Sequence, residues 1–69
     1  MKTYQLTQEQ RESLEEIWFI YGNHGPKHSM RNHKFIQHLL ERGEDSRHFY
    51  LPTYECMKSV DDILNNPRL

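Results

Sequence analysis

The chain has no alanine, one cysteine and no long apolar run. The lone Cys56 excludes an internal disulfide, so no covalent staple holds the fold. The longest apolar stretch, Ile17 to Tyr21, is far too short to span a bilayer, so no membrane partner is expected. Met1 to Gln10 is polar and offers no secretory apolar core. A free thiol without an export signal fits a reducing cytoplasm, which is the expected location. Repeats and low-complexity tracts are absent. So is a glycine-rich phosphate loop: "GNHGP" lacks both the preceding strand and the helix-opening glycine pattern. Nothing in the pattern accounts for the missing alanine.

What is present describes a polar globular chain. Its 69 residues are 28% charged and 35% hydrophobic, and they leave room for one domain, 1–69. So short a chain buries a small share of its surface, and its core is marginal. Without a disulfide, the usual remedies are a metal, a partner subunit or efficient packing.

Charge is unevenly spread around a net of −1. Residues 7–21 carry Glu9, Glu12, Glu15 and Glu16 against Arg11 alone. Residues 22–40 carry Lys27, Arg31 and Lys34, with His24, His28, His33 and His38, and no acid. Such asymmetry either steers a partner or pairs one segment with the other.

Helical periodicity appears in three segments. "TQEQ" reads as a capping box with Thr7 as N-cap and Gln10 at the third position. Leu14, Ile17, Trp18 and Tyr21 follow on one face, and Gly22 reads as a left-handed stop, giving a helix over 8–21. The alternating "KTYQL" before it suggests a short strand. After the turn "GNHGPKHS", Ser29 caps a helix over 30–42 with Phe35, Ile36, Leu39 and Leu40 inward. Pro52 suits the first turn of a third helix over 53–65, with Cys56, Met57, Val60, Ile63 and Leu64 on one face. The rival reading makes "HFYL" and "YECMK" short strands. The expected fold is therefore all-α or mainly α, a small three-helix bundle with an optional N-terminal strand.

Chemistry is sparse. A structural zinc needs four convergent ligands. Gly25-Pro26 breaks the helix that would align His24 with His28. His28, His33 and His38 are five apart and so turn about 140° from one another on a helix. His48 and Cys56 complete no motif, and no metal or other cofactor is expected. Cys56 lies on an apolar face, where a thiol is inert core. The neighbours Glu15-Glu16 and Asp61-Asp62 point about 100° apart and read as solvated faces. No enzyme is expected.

Two binding surfaces remain. On the second helix Arg31, Lys34, His38 and Arg42 fall in one stripe, which Lys27 extends, opposite Ile36 and Leu40. Such a row tracks a phosphate backbone, with Asn32 or Gln37 available to read a base edge, although Glu41 interrupts it. On the first helix Phe19 lies among Glu12, Glu15 and Glu16, away from the apolar face. An aromatic rimmed by acids has the form of an interface anchor. The expectation is a small non-enzymatic regulator or inhibitor that binds another protein and self-associates to extend its core. Virus-encoded inhibitors of host defence are among the proteins of this kind. Nucleic-acid binding through the basic stripe is the alternative.

Overall fold

The structure, a computed structural model, describes residues 2–23 and 29–65. It is mainly helical. The order is β1 (Lys2–Thr3), α1 (Gln8–Ile17), a π-helical turn (Trp18–Asn23), α2 (Met30–Arg42), β2 (Glu44–Asp45), α3 (Arg47–Tyr50) and α4 (Tyr54–Leu64). The three long helices occupy the three periodic segments, and α3 is an additional short element.

The caps explain the boundaries. The Thr7 hydroxyl accepts from Gln10 N at 3.0 Å, and the Gln10 carboxamide accepts from Thr7 N at 2.9 Å, which closes the capping box. Ser29 accepts from Asn32 N at the start of α2. Gly43 ends α2 in the left-handed region at φ 69°, where a side chain is unfavourable. Thr53, rather than Pro52, caps α4, so Pro52 lies just before the helix and not in its first turn.

The expected helix over 8–21 changes character at Trp18, where the backbone widens into the π turn. Gly22 is no left-handed stop. It lies buried inside that turn, and a Cβ there would sit 2.8 Å from His33 Cα. Its missing side chain lets the turn lie directly on α2. His33 completes the contact: its Nδ1 donates to the Gly22 carbonyl at 3.1 Å, and its ring packs on Trp18 at 5.0 Å.

β1 and β2 pair antiparallel, Lys2 opposite Asp45 and Thr3 opposite Glu44. Tyr4 N then donates to the Gly43 carbonyl at 2.7 Å, which ties the N-terminal segment to the end of α2. "HFYL" is therefore largely α3, and "YECMK" belongs to α4; neither is a strand. Leu14, Phe35, Ile36, Leu39, Cys56, Val60 and Ile63 form the core. Burying a side chain of this kind contributes roughly 1.5–3 kcal/mol. Ile17, Trp18, Tyr21, Leu40, Met57 and Leu64 pack against its edge.

Candidate functional site

The outer face of α1 is acidic because Glu9, Glu12 and Glu16 recur at three- and four-residue spacing, with Glu15 beside them. Into this face the π turn projects Phe19 and Ile20, 51% and 52% exposed, while Trp18 and Tyr21 stay against the core. Glu12, Glu15, Glu16, Phe19 and Ile20 line one open hollow. A second adjoins it across Glu15 and Phe19 and runs onto α2 through Trp18, Gln37, Leu40 and Glu41. A third continues towards the start of α1 past Glu9 and Ser13. Together they make a trough with a partly apolar floor.

Among the described residues, all the charged side chains lining the trough are glutamates. Arg11, the one basic residue of α1, does not line the hollows and donates to the Leu40 carbonyl at 3.0 Å. Glu12 and Glu41 accept only from neutral carboxamides, those of Gln8 and Gln37. Among the described residues none of these glutamates forms an ion pair. The sequence pattern placed Phe19 with Glu12, Glu15 and Glu16, and the structure brings those four residues together. Ile20 was missed, although it lies four residues beyond Glu16. Trp18 and Leu40 join the site through helix packing, which periodicity does not report.

The basic stripe is less continuous than its spacing suggests. Arg31, Lys34 and Arg42 are exposed along α2. His38 is half-buried: its Nε2 lies 3.0 Å from Glu44 Oε1, and its ring packs against Tyr50 at 5.9 Å. It is engaged with an acid and is not an open member of the row. A small hollow beside it is lined by Lys34, Gln37, His38, Glu41 and Tyr50, so a carboxylate sits among the basic groups. Lys27 lies outside the described residues. Asn32, expected at the surface to read a base, is fully buried. It accepts from Thr53 N at 2.9 Å and donates to Thr53 Oγ1 at 3.2 Å, holding the start of α4 against α2.

The densest polar cluster is structural. Arg47 donates to Asp61 at 2.6 Å and to Asp45 at 3.0 Å, and its guanidinium lies 6.0 Å from the Phe35 ring centre. Hydrogen bonds to Asp61, then to Asp45, raise the Arg47 pKa further above its already high ordinary value. Asp45 also accepts from Arg47 N at 3.1 Å, which shapes the entry to α3. Asp61, expected on a solvated face, is therefore a bridge from α4 to the β2–α3 corner.

Cys56 is fully buried, and loss of solvent pushes its thiol pKa from 9.0 up to about 12. Among the described residues no group of histidines, cysteines and carboxylates is placed to hold a metal. His24 and His28 lie outside those residues. No helix among them is long and apolar enough to cross a membrane. No protein-family model, curated protein or solved structure matches the chain.

Proposed function

We propose that this chain is a small non-enzymatic regulator or inhibitor that acts in the cytoplasm by binding another protein through Phe19 and its glutamate rim. Inhibition of a host-defence protein by a virus-encoded chain is one form this reading takes. The carrying observation is the exposed Phe19–Ile20 pair on a face whose glutamates pair with no cation among the described residues. Interface anchors combine an aromatic side chain with a polar surround that excludes water once bound. The polar clusters elsewhere support the same reading. Arg47, Asp45 and Asp61 hold the corner of the fold, Asn32 holds α4, and the Cys56 thiol is buried and protonated.

Self-association belongs to this reading. Met30, Phe49, Leu51 and Tyr54 are also large and exposed, while among the described residues seven apolar side chains make up the buried core. A second copy covering part of that surface would enlarge a marginal core. Sedimentation velocity should show a dimer or larger species at micromolar concentration, and a monomer persisting at high concentration removes this element.

The second reading is nucleic-acid binding along α2, favoured by the exposed Arg31, Lys34 and Arg42. Two variants separate the readings. Phe19→Ala should weaken capture of the native partner by about thirtyfold, the equivalent of about 2 kcal/mol for an aromatic anchor. Reversing Arg31 and Lys34 to Glu should leave capture intact. Salt-sensitive DNA or RNA binding lost only in the charge-reversed protein would transfer the function to α2.

A further inference from the structure

The trough on α1 also indicates the chemistry of what fills it. Resting on the protein-binding reading above, we propose that its occupant is a basic amphipathic helix of the partner. Large apolar side chains three or four residues apart dock on Phe19, Ile20 and Leu40, and lysines or arginines flank them.

Charge complementarity is the first argument. Glu9, Glu12, Glu15, Glu16 and Glu41 line the three adjoining hollows, and among the described residues no lysine, arginine or histidine does. Arg11, the nearest candidate for a counter-charge by sequence, donates to the Leu40 carbonyl at the edge of the trough and forms no ion pair with these glutamates. Cations arriving with a partner relieve repulsion among the carboxylates and gain attraction to them. A phosphate backbone meets only repulsion on this face. An acidic partner is rejected for the same reason, which gives selectivity as well as affinity.

The second argument comes from the walls. The trough is built by α1, the π turn and α2, whose backbone groups are largely engaged within their own helices. It presents side chains and no open strand edge. An extended peptide laid on the apolar floor would leave its backbone N–H and C=O groups unmatched, whereas a helix brings them already paired. Length agrees: the eleven residues from Glu9 to Phe19 run roughly 15 Å, or about three turns of a docked helix.

The test is selection of a displayed library of random peptides of about 16 residues, long enough for such a helix, on the folded full-length protein. Phe19→Ser protein serves as the counter-selection. The expected peptides are net basic, free of internal proline and carry apolar residues at i and i+3 or i+4. Trp18 is the only tryptophan and lines the trough, so its fluorescence reports titration by a tryptophan-free representative. Neutralising Glu12→Gln, Glu15→Gln and Glu16→Gln together should weaken that peptide about tenfold or more, as should raising salt from about 0.05 to about 0.5 M. Circular dichroism checks that both variants remain folded.

The proposal is overturned by no enrichment over the Phe19→Ser protein, by neutral or acidic winners, by proline-rich extended winners, or by binding indifferent to the glutamates. Winners resembling Met30–Arg42 of this chain would overturn it in favour of a second copy. The two readings fail separately. Partner capture that needs Phe19 but ignores the glutamates and salt leaves protein binding standing and removes the basic helix. Capture indifferent to Phe19 removes both.

Discussion

Gly43→Ala should be among the most damaging single substitutions in this chain, for two separable reasons. The residue sits at φ 69°, and a Cβ there would lie 2.5 Å from the Tyr4 carbonyl oxygen. The left-handed backbone costs a non-glycine residue about 1–2 kcal/mol. Relieving the contact requires Tyr4 to move, and Tyr4 N donates to the Gly43 carbonyl at 2.7 Å. Losing that bond adds about 1 kcal/mol, and loosening the adjacent two-strand ladder adds a comparable amount. The expected total is about 3–4 kcal/mol, against a stability of order 3–10 kcal/mol for a domain this size. The midpoint of thermal unfolding should fall by about 10–30 °C, followed by Trp18 fluorescence and far-ultraviolet circular dichroism. Gly43→Asn should recover part of the backbone cost, because asparagine tolerates this region, and keep the collision. Removing residues 1–5 should eliminate the collision, so that Gly43→Ala costs only the backbone term in that background. A Gly43→Ala protein within about 0.5 kcal/mol of wild type, inside the usual range for benign surface changes, would refute the reasoning. Equal costs with and without the strand would refute the part that invokes Tyr4.

Other substitutions probe the remaining supports. Cys56 should react with a thiol reagent far more slowly in the native protein than after unfolding; rapid native labelling would show that the thiol is not enclosed. Because its folded pKa of about 12 lies above the ordinary 9.0, the unfolded chain loses this proton first as pH rises. Stability should then fall above pH 9, by of order 1 kcal/mol per pH unit at most. Cys56→Ala should show a shallower decline in urea titrations at successive pH values, and equal slopes would count against burial of the thiol. Arg47→Met should cost about 1–3 kcal/mol, mainly by leaving the nearly buried Asp45 without its cation, because Asp61 keeps access to solvent. Adding Asp45→Asn should restore part of that loss, and urea melts that show no restoration would mean the pair is not coupled. Asn32→Leu should cost about 1–3 kcal/mol through the unmatched Thr53 N–H, read as accelerated amide exchange at the start of α4.

The features legible in the sequence depend on neighbours within one helical turn. Thr7 with Gln10, Ser29, and Gly43 after Arg42 each mark a helix end through a local hydrogen bond or a local backbone angle. The apolar stripes likewise needed only the helical period, and α2 begins and ends where its pattern does. Phe19 among glutamates was visible for the same reason. What escaped required knowledge of what lies opposite. Gly22 resembles a helix stop by type, yet its role depends on the closeness of His33 eleven residues away. Asn32 looks like a surface amide until Thr53 is placed against it. The four residues of α3 are too few to display a period, and Arg47 gives no local sign that it will bridge Asp45 to Asp61. His38 has the spacing of a basic stripe, but Glu44, beyond the end of its helix, decides its surroundings.

The fate of the charges links fold to function. Folding engages Arg11 with a carbonyl, Arg47 with two aspartates and His38 with a glutamate. Among the described residues the glutamates of α1 acquire no such cation. Close carboxylates repel, and each surface pair of this kind costs a few tenths of a kcal/mol on a helix. The same helix exposes Phe19 and Ile20 on that face, an arrangement that does not help the isolated chain bury apolar surface. Both costs are small and both are relieved by one event, the arrival of a partner that brings cations and covers the aromatic ring. That coincidence separates the α1 face from the α2 stripe, where Glu41 and Glu44 already moderate the positive charge before any phosphate approaches.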